Sequence, residues 1–564
     1  ANAALSAADD LVITSANGSV VLNDTVIAGD NLTLDAINGL LAEALLKSGL
    51  DLNIISTQGG VTTNGAVTST GLLAINAKGD VELNGDVTVA LTSTIAVNND
   101  DLDANSNITI NDVFNSDGET QLLADGSIIT NADLATLANL IIQSGDNVLL
   151  NGNVSATGLL DLDATNAVSL TQGKLVQIGT TANIDSTSFT MATDSTLDVE
   201  GAVQIITTGD TVVHNIDSES SIKVDADNIT SNGVVDAVAT IDLDSATSTV
   251  VNGTLNAIGI VDIDSAVNTE INGTVNSDAN LTINANTGLV ANAALSSGSN
   301  LVITSANGAV KLNDILTSEG LLNIAAKGDV ELNEDVTVAL TSTISVNNDD
   351  VDANSNITIN DVFNSDGETQ LLADGSITTN ADLTTLANLI IQSGENVLLN
   401  GHLSATGLLD LDATNSVSLT QGKLVQVGTT ANIDSASFVM AADSTLDVEG
   451  AVQIITTGGT VVHHIDSESS IKVDADNITT NGVADAVATI DLDSAASTVV
   501  NGTLNAIGNV DIDSTANTEI NGTVNSDANL TINANTGLIA NAALSAADDL
   551  VITSANGSVV LNDT

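Results

Sequence analysis

Aspartates recur along this chain in pairs separated by one aliphatic residue, and their carboxylates are the groups best suited to chemistry. Two such pairs occupy equivalent places in successive short repeats: Asp242 and Asp244, then Asp262 and Asp264. An extended strand puts both members of a pair on one face. Like charges stacked closely repel, and calcium, which takes about six to eight oxygen ligands, would relieve that repulsion. These four residues are a candidate calcium ladder, and the alternative is a solvated acidic face screened by salt.

Other aspartate pairs repeat the pattern elsewhere in the chain. They are Asp161 and Asp163, Asp410 and Asp412, Asp491 and Asp493, and Asp511 and Asp513. The glycine-aspartate nonapeptide of calcium-binding β-rolls is absent, which weakens the calcium interpretation. No other cofactor is indicated, because the chain has no cysteine for metal or thiol chemistry.

The elements that must position these carboxylates follow a short repeat. Asn232, Asn252 and Asn272 are each followed by glycine and are evenly spaced, and Asn292 continues the series. Between them run short segments in which aliphatic and polar residues alternate, the pattern of half-buried strands. We expect the asparagines to form a hydrogen-bonded ladder. We expect the Asn-Gly steps to supply a positive φ for a sharp bend.

A repeat this short predicts an all-β fold, specifically an elongated parallel β-helix or β-solenoid with about 20-residue coils. Stacked coils lie about 4.8 Å apart, so about 28 coils would form a rod near 130 Å. Tandem immunoglobulin-like sandwiches need about 100 residues per repeat and tryptophan or tyrosine at fixed places. The short repeat and the absence of tryptophan and tyrosine argue against that fold. An antiparallel meander would leave its apolar face uncovered, which argues against that fold.

Residues 40–47 and 134–141 look partly helical, and we interpret them as short strands or bulged corners.

A second, longer period organises the chain. Residues 1–25 recur without change as residues 540–564, so one long period is 540 − 1 = 539 residues. Within it we predict a long repeat over residues 1–290, a second over 291–539, and the start of the next at 540–564. The first exceeds the second by 290 − 249 = 41 residues, near residues 25–70, which equals two coils. We expect the solenoid to continue covalently at its ends or to dock head-to-tail with another copy.

Composition excludes several classes of function. The chain carries 8 basic and 72 acidic residues, a net charge of −64, so it has no cationic stripe for nucleic acid or for anionic membranes. Hydrophobic residues make up 43%, enough for a core, and proline is absent, as stacked ladders require. We find no secretory signal and no membrane-spanning apolar run. We therefore expect neither nucleic-acid partners nor membrane insertion.

The repeats resemble those of filamentous-haemagglutinin-type bacterial adhesins and related giant surface proteins. The resemblance rests on residues 151–164 (NGNVSATGLLDLDA) and 71–85 (GLLAINAKGDVELNG), and similar patterns cover nearly the whole chain. It implies a right-handed parallel β-helix, export across the envelope, and a role in adhesion or in surface fibres. The chain differs in its exact long period and shows no secretion domain or receptor-binding insert.

Four phenylalanines and three of the four histidines are the remaining distinctive side chains. We expect the phenylalanines, which occur at equivalent positions of the two long repeats, to fill wider parts of the core: Phe114, Phe189, Phe363 and Phe438. We expect the histidines to be exposed corner residues: His214, His463 and His464.

These observations predict a structural β-solenoid of an extracellular fibre, sheath or giant surface protein. The alternative is the stalk of a cell-surface adhesin that binds a host or neighbouring cell. In both cases we expect a secreted protein that is extracellular or at the cell surface. The main expected partner is the chain itself, with a cell surface added in the alternative. An enzyme is not expected, because arginine, tryptophan and tyrosine are absent and no single carboxylate pair stands out.

Overall fold

The computed structural model describes residues 1–98, 105–347 and 354–562, and in these residues every regular element is a β-strand. The strands form a parallel β-solenoid of about 27 coils, each of roughly 20 residues. The predicted fold class is therefore confirmed. The chain divides into two compact units, Ala1–Ala279 and Asn280–Thr564. None of the described residues belongs to a helix that could cross a membrane.

Most of the described coils contain three short strands, called here the first, second and third strand of the coil. In the first two coils these are Leu5–Ala7, Leu11–Ser15 and Val20–Leu22, then Val26–Ala28, Leu32–Ala36 and Leu40–Ala42. Each strand pairs in parallel with its counterpart in the next coil, so that Leu5 faces Val26 and Leu11 faces Leu32. The coils therefore stack residue on residue.

Alternation of side chains explains why these segments form strands and where the core lies. In Leu32–Ala36 the residues Leu32, Leu34 and Ala36 are fully buried, whereas Thr33 and Asp35 point outward. A strand places successive side chains on opposite faces, so the aliphatic residues fill the inside of the coil and the polar residues cover it.

The second unit is built in the same way. Leu281–Ala285 pairs in parallel with Leu301–Ser305, and Gly288–Ala291 pairs with Ala309–Leu312. In several coils of the two units the second and third strands merge into one continuous strand. These merged strands are Ile222–Ser231, Ile241–Val251, Leu409–Leu419, Ala431–Met440, Ile471–Thr480 and Ile490–Val500.

The difference in length between the two long repeats corresponds to two complete coils. The extra coils begin with strands Val26–Ala28 and Leu46–Ser48. The next first strand, Val67–Ser69, is the counterpart of Leu316–Ser318 in the shorter repeat. Both stretches with a helix-like sequence are strands, as we interpreted them. They contain Leu40–Ala42, Leu46–Ser48, Leu134–Thr136 and Leu140–Ser144.

The core is mainly aliphatic and includes the four phenylalanines. Phe114, Phe189 and Phe363 are fully buried and Phe438 is 3% exposed, so their predicted place in the core is confirmed. The core also contains hydroxyl groups that the sequence did not identify as buried. Thr249 Oγ1 donates to Ser245 Oγ at 2.9 Å inside the bend between the second and third strands.

The predicted role of glycine in the Asn-Gly steps is wrong. Gly233, Gly253 and Gly273 are not among the described glycines with positive φ. A Cβ atom on Gly253 would instead lie 1.8 Å from the carbonyl oxygen of Gly233 in the preceding coil. On Gly273 it would lie 1.7 Å from the carbonyl oxygen of Gly253. Glycine is required because adjacent coils approach closely at this corner, where no side chain fits.

The predicted asparagine ladder is present beside these glycines. Asn252 Nδ2 donates to Asn232 Oδ1 at 2.9 Å, and Asn272 Nδ2 donates to Asn252 Oδ1 at 3.0 Å. In the second unit Asn313 Nδ2 donates to Asn292 Oδ1 at 2.7 Å. Each amide thus links one coil to the next on the outer surface.

Candidate functional site

The four aspartates of the proposed ladder lie side by side on two adjacent coils. Asp242 and Asp244 belong to the merged strand Ile241–Val251, and Asp262 and Asp264 belong to Val261–Ser265. Asp242 faces Asp262 and Asp244 faces Asp264 in the parallel pairing. The aliphatic residues between them are buried, so all four carboxylates lie on the outer face. The structure brings together the residues that the sequence indicated.

A lysine that the sequence analysis did not include occupies one end of this cluster. Lys223 faces Asp242 from the preceding coil. Its Nζ lies 2.9 Å from Asp242 Oδ2 and 2.5 Å from Asp244 Oδ2. Hydrogen bonds to Asp244 and then to Asp242 raise the pKa of Lys223 above its usual range. The ammonium group therefore supplies positive charge to the first aspartate pair.

Asp262 has the most perturbed carboxyl of the cluster. Its Oδ1 is buried and has no hydrogen-bond partner within the described part of the chain. Burial raises the pKa of Asp262 to about 6, helped by the charges of Asp264, Asp242 and Asp244 and opposed by that of Lys223. A carboxylate here is disfavoured because it loses hydration next to other negative charges.

The same arrangement recurs in the second unit. Lys472 Nζ lies 2.9 Å from Asp491 Oδ2 and 3.0 Å from Asp493 Oδ2. On the next coil, Asp511 also has a buried Oδ1 for which the described residues provide no hydrogen-bond partner, and burial raises its pKa. Beyond it, Asn533 Nδ2 donates to Asp513 Oδ1 at 2.7 Å, which ends the acidic column.

No set of three or more histidine, aspartate or glutamate side chains in the described residues is arranged to hold a metal ion. A calcium ion at Asp242, Asp244, Asp262 and Asp264 would share the first two carboxylates with Lys223. The calcium ladder stays a prediction: if it forms, a chelator lowers the melting temperature at fixed ionic strength. A melting temperature that the chelator does not change would contradict the calcium ladder.

The aspartate pairs at residues 161–163 and 410–412 have a different setting, because they do not stack on a second pair. Asp161 faces Asn183 and Asp163 faces Asp185 on the following coil. On the preceding coil Gln143 Nε2 donates to Asp163 Oδ2 at 3.3 Å. The result is a smaller cluster of three carboxylates and two amides, without a lysine among these residues.

A further acidic column lies on the first strands and was not found from the sequence. Asp198, Asp217 and Asp236 face one another on three consecutive coils. Gln177 donates to Asp198 Oδ2 at 3.2 Å and Asn256 donates to Asp236 Oδ1 at 2.8 Å, so an amide caps each end. Burial, then the charges of its two neighbours, raises the pKa of the central Asp217.

The column of Asp198, Asp217 and Asp236 and the position of Lys223 were not predicted from the sequence, for one reason. The coils that carry Asp198, Asp217 and Asp236 are slightly shorter than the repeat that spaces Asn232, Asn252 and Asn272. The coil that separates Lys223 from Asp242 is shortened in the same way. Aligning the alternating segments individually, rather than at a fixed period, would have placed these residues in register.

His214, His463 and His464 are half-buried rather than exposed, and His464 has a structural role. His464 Nδ1 accepts the backbone N–H of Val483 from the next coil at 3.2 Å. At the equivalent position of the first unit, Asn215 Oδ1 accepts the N–H of Val234 at 3.1 Å. The expectation of a free corner residue is thus wrong for His464, because its ring replaces an asparagine as a hydrogen-bond acceptor.

Comparison of the chain with family models, with curated proteins and with solved structures found no significant match in any of the three.

Proposed function

We propose that this chain is a structural β-solenoid segment of an extracellular fibre, sheath or giant surface protein. The observation that supports this best is repetition: about 27 coils share one three-strand plan, and the lysine–aspartate arrangement of the first unit recurs in the second. A structure assembled from equivalent coils has many similar surfaces and few unique ones, which suits a scaffold better than a catalyst.

The physical properties of each unit support a mechanical role. Backbone hydrogen bonds join each coil to the next, as between Leu5 N and Thr25 O at 2.9 Å. Amide ladders add side-chain hydrogen bonds along the same direction. The net charge of −64 covers the outside with negative charge, so neighbouring copies repel and stay soluble unless salt screens them.

In this proposal the protein is secreted and acts outside the cell or at the cell surface. Its main partner is another copy of itself, joined head-to-tail or as further repeats of a longer chain. Parallel strands support such growth, because an added coil finds the same row of backbone donors and acceptors as the coils before it.

An adhesin stalk is the second candidate. It is favoured by the resemblance of residues 151–164 and 71–85 to filamentous-haemagglutinin-type repeats. In that case the coils would hold a binding tip away from the cell, and a host or neighbouring cell would be the partner. We propose no enzymatic activity in either case, because repeated carboxylates do not single out an acid–base pair.

Electron cryomicroscopy of the native material tests the proposal. A structural fibre gives filaments much longer than about 130 Å with an axial reflection near 4.8 Å. Discrete particles that end in a distinct globular tip would contradict the fibre and support the adhesin stalk. Monomeric particles without further assembly at physiological salt would contradict self-association.

A further inference from the structure

A shallow groove follows the outer surface of the first unit where the second strands end. Its volume is about 820 Å³, and it crosses the successive coils between residues 96 and 208. Gln143, Asp163 and Asp185 line its centre, and Leu123 and Ile206 line its two sides along the stacking direction. The groove thus combines a negatively charged centre with aliphatic ends.

The second unit has an equivalent groove at the same bend, with a volume of about 460 Å³. Gln392, Asp412 and Asp434 line it, and they are the counterparts of Gln143, Asp163 and Asp185 in the longer repeat. Both units therefore form the same concave feature around one glutamine and two aspartates.

The central carboxylates are adjacent, and an amide but no basic side chain from the described lining accompanies them. Asp163 faces Asp185 in the parallel pairing, so their backbones are about 4.8 Å apart. Burial, then the charge of Asp163, raises the pKa of Asp185. In the second unit burial and the charges of Asp410 and Asp434 raise the pKa of Asp412. No lysine is among the described residues that line either groove.

Elsewhere the same solenoid shows which cation its aspartate pairs accept. The ammonium groups of Lys223 and Lys472 each contact two outward carboxylates on the following coil, at distances from 2.5 Å to 3.0 Å. The aliphatic part of the lysine side chain crosses from coil to coil, as long basic side chains do on apolar surfaces. The grooves present a similar acidic face but lack a lysine from the described part of this chain.

We propose that each groove binds lysine side chains of an extended segment of a partner protein. An ammonium group would lie between Asp163 and Asp185, or between Asp412 and Asp434, which face each other on adjacent coils. It would pair with two carboxylates, as Lys223 pairs with the two on one strand, Asp242 and Asp244. Leu123 and Ile206 would contact the aliphatic stems in the larger groove. The occupant is cationic because the lining is acidic and the whole chain is strongly negative. The inference does not depend on fibre formation.

The length of the larger groove sets the size of the ligand. The six coils that line it span five intervals of about 4.8 Å, or roughly 24 Å. An extended peptide rises about 3.4 Å per residue, so about seven residues fill the groove. In such a peptide every second side chain points to the same side, and alternating lysines would all face the carboxylates.

A binding titration with the full chain tests this inference. The probe is the heptapeptide acetyl-Ala-Lys-Ala-Lys-Ala-Lys-Ala-amide, and the comparison peptide has glutamine in place of lysine. The groove variant changes Asp163, Asp185, Asp412 and Asp434 to asparagine. The charge-matched control changes four exposed aspartates outside both grooves to asparagine: Asp86, Asp117, Asp335 and Asp366. Melting curves first establish that both variants fold.

We expect the lysine peptide to bind the natural chain and the control within about twofold of each other, and the groove variant at least tenfold more weakly. The glutamine peptide should bind none of them measurably. Equal weakening in both variants would overturn the inference, because it would show attraction to the acidic surface as a whole. Displacement of the peptide by calcium at fixed ionic strength would also overturn it, in favour of an inorganic cation site.

Discussion

Lys223 Nζ lies 2.9 Å from Asp242 Oδ2, although the two residues belong to successive coils. The contact is in register, since Lys223 and Asp242 face each other in the parallel pairing. One lysine side chain therefore joins two coils and offsets part of the negative charge of the column above it. Lys472 and Asp491 repeat the relationship at 2.9 Å in the second unit.

Removing Lys472 should lower the stability of the coils that it joins more than removing an ordinary surface lysine lowers the stability of its coils. Lys472→Ala leaves Asp491 and Asp493 next to the carboxylate of Asp511 without a counter-ion. We expect the opening free energy of these coils to fall by about 1 kcal/mol, because the groups are partly solvated. Native-state hydrogen exchange of the backbone amides in these coils measures it.

The matched control for that variant is Lys311→Ala, which removes a contact with only one carboxylate, Glu331 at 2.7 Å. Its effect should be about 0.5 kcal/mol or less. The effect of Lys472→Ala should also shrink in about 1 M salt, where the screening length is about 3 Å. Equal effects of the two substitutions would refute a special role for Lys472.

The carboxyl of Asp262 should make its coil less stable as the pH rises. Its pKa in the folded chain is about 6, above the value near 4 of an unfolded aspartate, so folding favours the protonated form. Stability is therefore greatest below about pH 4 and is lost as the pH rises from about 4 to 6. Asp262→Asn, which is always neutral, should be more stable than the natural chain at pH 7.5.

The size of this difference should be about 1–2 kcal/mol at pH 7.5, since a shift of two pKa units gives about 3 kcal/mol before solvent screening. It should vanish at pH 4. Hydrogen exchange of residues 261–265 at both pH values measures it. Asp117→Asn, at an exposed position, serves as the control for the loss of one charge. An Asp262→Asn effect that does not change with pH would contradict the prediction.

Glycine at the asparagine corner should be essential for steric reasons. Gly253→Ala would place a methyl group 1.8 Å from the carbonyl oxygen of Gly233, so two coils must separate. We expect a loss of at least about 2 kcal/mol, as for an overpacked site. Gly459→Ala is the control, because nothing lies within 4 Å of its added Cβ and the first unit has Asp210 there.

The two glycine variants can be compared by the midpoint of thermal unfolding. Gly459→Ala should leave it unchanged, and Gly253→Ala should lower it or produce early local opening in hydrogen exchange. If Gly253→Ala is tolerated as well as Gly459→Ala, the close approach of the coils is not what requires glycine.

His464 should be replaceable by asparagine but not by an apolar residue. His464→Asn restores the acceptor found at Asn215, so the amide of Val483 keeps a partner and stability should change by less than about 0.5 kcal/mol. His464→Leu leaves that amide without an acceptor and should cost about 1–2 kcal/mol. Hydrogen exchange of the Val483 amide reports the difference, and equal protection in both variants would refute it.

The sequence was sufficient to predict the fold class and its layers, because alternation of side chains and a short repeat constrain a chain strongly. The ladder of Asn232, Asn252 and Asn272 and the buried Phe114 followed from spacing and residue type alone. The pairing of Asp242 with Asp262 followed from the same short period.

Other features depend on geometry that the repeat does not encode. The pairing of Lys223 with Asp242 needs the shortening of a coil, and the role of Gly253 needs the distance between two corners. The acceptor role of His464 had a weak signal, since the two long repeats exchange asparagine and histidine at that position. The grooves arise from the bend after the second strand, which no residue pattern specifies.

The two additional coils of the first long repeat show how such a chain can change its reach. The extra residues leave the inward and outward faces of the following strands as they are in the shorter repeat. Gene segments that encode complete coils can therefore be gained or lost without disturbing the neighbours. Each coil that is gained or lost changes the length of the solenoid by about 4.8 Å, so evolution can adjust that length in fixed increments.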